Sequence, residues 1–163
     1  MPAEVEAFRV PPVVRKVRIA LAVDAAFDRF TRIGGWWPAA THSLGGEEVE
    51  AVVLEGEVGG RLFERRHDGS EHLWGRVVRW DPPAALAFTW HVGREPDTAQ
   101  TVALTFEAVD EATTAVTLIH DGWEALGENA RATRDDYDRG WEMVLGRAFV
   151  GANGETQCAG SHG

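Results

Sequence analysis

Hydrophobic and polar residues alternate along three stretches in the second half of the chain, at 86–92, 102–106 and 116–120. Alternation with a period of two is typical of β-strands that bury one face. These strands are therefore expected to turn one row of side chains inward. The residues in these rows are Leu86, Phe88, Trp90 and Val92, then Val102, Leu104 and Phe106, and then Val116, Leu118 and His120.

The first half of the chain predicts four more strands, at 13–23, 48–55, 61–67 and 71–80. The sequence Asp81-Pro82-Pro83 separates the last of them from the strand that contains Trp90. Because proline cannot continue a helix and donates no hydrogen bond to a ladder, this sequence indicates a hairpin turn. The pattern as a whole predicts an antiparallel meander.

Two regions show helical spacing instead. Asp24 is a plausible N-cap for a short helix that buries Phe27, Phe30 and Ile33 and stops at the glycine pair 34–35. A longer helix is predicted over about 131–150, because its apolar residues recur at steps of three and four. This stripe consists of Tyr137, Trp141, Val144, Leu145 and Phe149.

Gly140 lies inside the longer predicted helix. A glycine there costs up to about 1 kcal/mol relative to alanine. We therefore expect another backbone to approach the helix closely at this position.

Composition limits the classes of protein that fit. A chain of 163 residues suits one domain, expected at 13–150 between a flexible lead-in at 1–12 and a flexible tail at 151–163. The formal charge of −10 disfavours binding to nucleic acids or to anionic membrane surfaces. Cys158 has no second cysteine to pair with, no apolar run is long enough to insert into a membrane, and the first residues do not resemble a signal peptide. A cytoplasmic protein is expected.

Several of these segments together resemble a known family. They are the Leu-x-Phe-Thr-Trp strand at 86–90, the Thr-x-Val-Thr-Leu-x-His strand at 114–120, Gly140-Trp141 in the last helix, and Gly35-Trp36-Trp37-Pro38. With the Asp-Pro-Pro turn, they are similar to the family related to the C-terminal domain of the Hsp90 ATPase activator, within the START/Bet v 1-like (SRPBCC) superfamily. The resemblance covers about residues 13–150.

The resemblance implies an α+β helix-grip fold. In that fold a curved antiparallel β-sheet wraps around a long C-terminal α-helix, two short helices follow the first strand, and the interior holds a hydrophobic cavity. Large aromatic side chains would line such a cavity, with His42 and His120 as polar groups at its entrance. The candidate ligand-binding residues are Trp36, Trp37, His42, Phe88, Trp90, Phe106, His120, Tyr137 and Trp141.

No metal or cofactor is expected. His67, Asp68 and His72 are close in sequence, but Asp68-Gly69 is a strong hairpin turn, and a structural zinc site needs four well-placed ligands. Glycine-rich phosphate loops, dinucleotide fingerprints, nucleophile elbows and zinc-protease motifs are all missing from the sequence.

Three functions stay open at this level. The leading hypothesis is a protein that binds a small hydrophobic or aromatic ligand in its cavity, as a carrier, a sensor or in a stress-related role, with no catalytic residue assigned. A cyclase-like, aromatase-like or hydrolytic enzyme would need two polar groups to converge inside, and His42 and His120 are the candidates. The family resemblance also implies a chaperone-interacting domain. A homodimer stays open, and the sequence does not identify the ligand.

Overall fold

The computed structural model describes residues 10–151 and 154–156. A run of six consecutive strands separates its two α-helices, an order typical of an α+β domain. They are β1 Val13–Ile19, α1 Val23–Thr31, β2 Val49–Leu54, β3 Arg61–Arg66, β4 Glu71–Asp81, β5 Ala85–Trp90, β6 Gln100–Asp110, β7 Thr113–Asp121, α2 Ala130–Met143 and β8 Gly154–Thr156. Short 3₁₀ turns at Ile33–Gly35, Gly46–Glu48, Pro96–Thr98 and Trp123–Asn129 connect them.

The strands form one antiparallel sheet in the order β2-β3-β4-β5-β6-β7-β1-β8. The predicted inward rows are confirmed, since Phe88 pairs with Val102, Val102 with His120, and His120 with Val13, and all four are buried. The sheet curves around the C-terminal helix, so the predicted helix-grip architecture is confirmed as well. The 3₁₀ turn Ile33–Gly35 follows α1 as the second short helix after β1.

Helix α1 starts two residues earlier than predicted. Its N-cap is Ala22, and Asp24 lies in the first turn, where its carboxylate accepts a hydrogen bond from the Ala25 amide. The predicted N-cap role of Asp24 is therefore wrong, although an acidic side chain still complements the positive end of the helix dipole. Phe27 and Phe30 are buried as predicted.

The C-terminal helix has the predicted extent and the predicted buried stripe. Helix α2 runs directly into a π-helical segment, Val144–Phe149. Trp141, Val144, Leu145 and Phe149 are buried, and Tyr137 is half-buried. The Nε of Arg29 in α1 donates a hydrogen bond of 2.7 Å to the Phe149 carbonyl, which satisfies a terminal group of the helix.

Residues 10–12, which belong to the predicted lead-in, contact the rest of the chain. Val10 is only 3% exposed, and its amide donates to a carboxylate oxygen of Glu124. Arg134 donates to the carbonyls of Pro11 and Pro12. These contacts hold residues 10–12 against the end of the sheet and the last helix.

Only part of the predicted tail is described. Its residues Gly154–Thr156 pair with β1 as strand β8. Residues 1–9 of the predicted lead-in and residues 152–153 and 157–163 of the predicted tail, including Cys158, lie outside the described residues, so their flexibility stays a prediction. Within the described part of the chain, no helix is both long and apolar enough to cross a membrane.

Candidate functional site

Five aromatic side chains meet at one end of the space between the sheet and α2. Trp37 contacts Trp74 and Trp141 at ring-centroid distances of 5.4 and 5.8 Å, and Trp90 contacts Trp74 and Trp141 at 5.6 Å each. Tyr137 lies edge-on to Trp90 at 6.1 Å. We call Trp37, Trp74, Trp90, Tyr137 and Trp141 the pocket cluster. Its rings contact one another in the tilted and edge-to-face arrangements that aromatic pairs prefer.

A pocket of about 230 Å³ lies over this cluster. Strands β4 and β5 supply one wall, α2 supplies another, and the loop between the two short turns at 33–35 and 46–48 covers it. The pocket is partly open to solvent, and His42 and Tyr137 are the titratable side chains among the described residues that line it. The lining residues are Trp37, Thr41, His42, Ser43, Trp74, Trp90, Val92, Tyr137, Gly140, Trp141 and Val144.

A buried carboxylate holds the covering loop in place. Glu64 on β3 is 0% exposed and accepts hydrogen bonds of 2.9 Å from the amides of Leu44 and Gly45 in the loop. It also accepts 2.9 Å bonds from Trp74 Nε1 in the pocket cluster and from Arg66 Nε. Burial by itself raises the pKa of the Glu64 carboxyl, but these donors outweigh it and hold the pKa below its usual value.

The loop is also braced internally. Trp37 Nε1 donates a 2.7 Å hydrogen bond to the His42 carbonyl, which ties the aromatic floor to the cover. The Thr41 hydroxyl lies 2.8 Å from His42 Nδ1. Ser43 donates to the Ala39 carbonyl and accepts from the Gly46 amide. Thr41, His42 and Ser43 therefore form an ordered polar side of the pocket.

His120 occupies a different place from the one predicted. It is fully buried behind Trp141 and does not line the pocket, so the expectation of an imidazole at the pocket entrance is wrong. Its Nδ1 accepts a 2.9 Å hydrogen bond from Trp141 Nε1, so the proton is assigned to Nε2, which donates to Gln100 Oε1 at 3.1 Å. The ring stacks on Trp123 with a centroid distance of 4.1 Å.

Burial lowers the pKa of His120 to about 3, so the imidazole is neutral at physiological pH. Its role in the structure is to orient Trp141, which does line the pocket. An enzyme was expected to need two polar groups that converge inside the pocket, with His42 and His120 as the candidates. The structure does not bring these two side chains together, because only His42 lines the pocket.

Three other candidates also lie outside the pocket. Trp36 packs between Phe30 and Phe149, at 5.2 and 5.1 Å, and its Nε1 donates to the Arg29 carbonyl. Phe106 contacts Phe27 at 5.2 Å, and Phe88 lies behind Trp90 at 6.1 Å. We call Phe27, Phe30, Trp36, Phe106 and Phe149 the closed core. The candidates that do line the pocket are Trp37, His42, Trp90, Tyr137 and Trp141.

Trp74 is the main pocket residue that the sequence analysis missed. The register between β3 and β4 shifts between Leu62 and Phe63, so that Trp74 is the additional residue on β4. Such a bulge re-aims a side chain, and it leaves both Trp74 and Gly75 buried, against the alternation. The neighbouring glycine was the available signal, because a Cβ on Gly75 would lie 1.7 Å from the Thr89 carbonyl oxygen.

Gly140 is not where another backbone comes close. A Cβ at this position would have no atom within 4 Å, apart from its own helix backbone and chain neighbours, so the expected close approach is wrong. Gly140 lines the pocket, as does Val144 one turn further along. The open space beside the glycine is the pocket itself.

The pocket cluster contains one buried N–H group without a partner. The Trp90 side chain is only 4% exposed, and among the described residues its indole N–H has no partner with normal hydrogen-bond geometry. Burial raises the pKa of the Tyr137 hydroxyl, while the nearby Trp90 N–H and the Arg94 charge oppose this with smaller effects. The Trp90 N–H and the Tyr137 hydroxyl are therefore polar groups on an otherwise apolar surface.

The hairpin histidines do not form a metal site. Asp68 accepts hydrogen bonds from Ser70, whose hydroxyl also lies 3.1 Å from His72 Nε2. Within the described ranges, no three His, Cys, Asp or Glu side chains come together in a way that could hold a metal ion.

Comparison with known proteins identifies the class of this domain. Residues 25–151 match the family described as activator of Hsp90 ATPase homolog 1-like protein, and the chain belongs to that family. Solved structures with similar folds place it among the SRPBCC/Bet v 1-like proteins. No curated protein matches the chain.

Three similar structures differ in what they are described to be. An anthrahydroquino-γ-pyrone synthase, Txn09, is 31% identical with a TM-score of 0.57, over 80% of this chain and 88% of its own. The self-sacrificing resistance protein CalC from Micromonospora echinospora is 25% identical with a TM-score of 0.64, over 86% of this chain and 92% of its own. An HSP90 activator from Plasmodium falciparum is 19% identical with a TM-score of 0.53, over 84% and 97%, and at that identity it shows the fold alone.

Proposed function

We propose that this protein binds a neutral aromatic small molecule in the pocket over the pocket cluster. The observation that carries the proposal is a pocket of about 230 Å³ whose floor is four tryptophans and a tyrosine and whose lining, among the described residues, contains no Asp, Glu, Lys or Arg. An ionised ligand would lose hydration there without meeting an opposite charge, which costs several kcal/mol. A neutral, flat and polarisable molecule incurs no such cost and gains contact with the indole rings.

The size of the pocket limits the group that enters it. An apolar cavity of about 150 Å³ is enough to hold benzene. The space of about 230 Å³ therefore suits a substituted ring or two fused rings. Because the pocket is partly open, a larger molecule would place one end inside and extend the rest past the covering loop.

The covering loop supplies the polar groups that would orient the ligand. Thr41 and His42 hydrogen-bond to each other at the pocket wall, and Ser43 is fixed by the loop backbone. Pockets of this kind gain specificity from a few placed polar groups on an apolar surface. A hydroxyl or carbonyl on the ring would meet them.

Similarity to a synthase supports a second function of the same pocket. Txn09, described as an anthrahydroquino-γ-pyrone synthase, is 31% identical to this chain. In an enzyme of this kind His42 would be the acid–base group, since it is the imidazole that lines the pocket. The family description also allows a chaperone partner.

Two half-buried tryptophans provide a matched test of binding. Trp37 lies in the pocket cluster, whereas Trp80 packs against Phe27, away from the pocket. Tryptophan emission is titrated with 2-naphthol in wild type, Trp37→Ala and Trp80→Ala. Trp37→Ala should weaken binding about tenfold or more, because an aromatic contact and its buried area are lost, and Trp80→Ala should leave affinity unchanged.

The outcomes separate the candidate functions. Non-saturable quenching in the wild type, or equal losses in both variants, would refute the pocket as a binding site. Native mass spectrometry of the purified protein then distinguishes carrier from catalyst. A co-purified aromatic molecule recovered unchanged supports a carrier, while a product formed by the wild type and not by His42→Ala supports the enzyme.

A further inference from the structure

Gly140 stands at the centre of the helix face that forms one wall of the pocket. Tyr137, Trp141 and Val144 line the pocket at the steps of three and four residues that place side chains on one face of a helix. Gly140 belongs to the same face, one turn from Tyr137 and one turn from Val144, and it lines the pocket too. Its position is the gap in a row of large side chains.

Nothing in the helix itself explains a glycine there. Gly140 is not among the glycines with positive φ, so its backbone conformation suits any residue. Leaving out its own helix backbone and chain neighbours, no atom of the described residues lies within 4 Å of the place where its Cβ would stand, so close packing does not require a glycine either. Alanine would improve helix stability at a position of this kind.

We propose that Gly140 is a specificity-determining residue, whose missing side chain keeps open the part of the pocket that receives the ligand's ring. The ring would rest against the helix backbone at Gly140, with its face or edge on Trp37 and Trp141. The ligand class is thereby narrowed to flat aromatic molecules of about two fused rings. This inference rests on the proposed function, because it assigns the determinant of size within the same pocket.

The inference predicts opposite changes in stability and in binding for one substitution. Gly140→Ala should raise the melting temperature by up to about 2–4 °C, because alanine favours the helix. The same methyl group should weaken binding of 2-naphthol about tenfold or more, which is the usual effect of one carbon in a filled apolar pocket. A merely structural role for Gly140 would not move the two quantities in opposite directions.

Gly140→Leu extends the test, with Glu142 as the control on the same helix. Gly140→Leu should reduce naphthol affinity by about 100-fold or more while affecting phenol, a single ring, less. Glu142 is exposed and does not line the pocket, so Glu142→Ala and Glu142→Leu should bind both probes as the wild type does.

The possible results are distinct. If the wild type binds naphthol and both Gly140 variants bind it equally well, the size-determining role is overturned and the pocket function stands. The size-determining role is also overturned if the Gly140 variants lose affinity for phenol and for naphthol by the same factor. If the wild type binds neither probe, the proposed function is overturned and this inference with it.

Discussion

The closed core and the pocket cluster lie next to each other between the sheet and the helices, and both are built from aromatic rings. Trp36 and Trp37 are consecutive residues that contact each other at 5.7 Å, yet one belongs to each region. Trp36 is 8% exposed and sits among phenylalanines, with its N–H bonded to the backbone of α1. Trp37 is half-buried on the floor of the pocket.

The two regions differ in the element that covers their aromatic rings. Helix α1 covers the closed core and contributes Phe27 and Phe30, which fill the space down to Phe106 and Phe149. A loop covers the pocket cluster, and the helix beside it presents Gly140. A cluster of aromatic residues therefore becomes a binding site only where its cover leaves volume unfilled.

The two regions also differ in their polar support. The closed core consists of hydrocarbon and indole side chains, and the half-buried Arg29 lies over its Phe149 ring at 5.6 Å. The pocket cluster rests on two buried titratable groups, Glu64 through Trp74 and His120 through Trp141. Buried polar groups of this kind position their partners, but they also make the region sensitive to substitution and to pH.

The largest expected effect is on stability and comes from the closed core. Phe30→Ala should lower the free energy of unfolding by about 3–5 kcal/mol, because a fully buried ring leaves a cavity. The affinity of the folded fraction for 2-naphthol should stay unchanged. Urea unfolding followed by circular dichroism gives the stability, and titration under native conditions gives the affinity. A loss of binding without a loss of stability would contradict the separation of the two regions.

A smaller effect is expected from the carboxylate that holds the covering loop. Glu64→Gln keeps the shape but removes the charge, and it should cost about 1.5–3 kcal/mol, the range for hydrogen bonds to charged groups. The amides of Leu44 and Gly45, which donate to this carboxylate, should exchange faster with deuterium, and naphthol affinity should fall. Glu55→Gln removes a carboxylate from an exposed pair with Arg61 and serves as the control. Unchanged exchange in the loop would show that Glu64 does not hold it.

The smallest effect on stability should come from mild acid. It tests whether the pocket cluster depends on a buried titratable group. The pKa of His120 is about 6.5 in the unfolded chain and about 3 in the folded protein, so the unfolded state binds the proton first. Stability should fall by about 1 kcal/mol between pH 6.5 and 5.5.

His120→Asn is the matched variant for that pH dependence, because its amide oxygen can still accept from Trp141 Nε1. The variant should be less stable at neutral pH and should lack this part of the pH dependence. Denaturant midpoints measured at several pH values check it. Glu64 acts in a lower window, since its lowered pKa means that its contribution is present above about pH 4.5 and is lost as the pH falls further. Identical pH profiles of stability for the wild type and His120→Asn would contradict the role of His120.

Local patterns in the sequence determined most of the fold. Strand alternation correctly placed Phe88, Val102 and His120 on the inner face, and helical spacing correctly placed Trp141 and Phe149 on the buried stripe. These predictions depend only on the geometry of a strand or a helix, which repeats every two or 3.6 residues whatever the rest of the chain does.

The division between filled core and open pocket was decided by the tertiary structure. Trp36 and Trp37 are the same residue type in the same turn, and no local rule separates them. Trp74 reaches the pocket through a bulge that depends on how β3 pairs with β4, and His120 lies behind Trp141 because Gln100 and Trp123 surround it. Gly140 borders empty space because the elements around it come from distant parts of the chain. Volume between elements is a property of their packing, and no single segment of sequence encodes it.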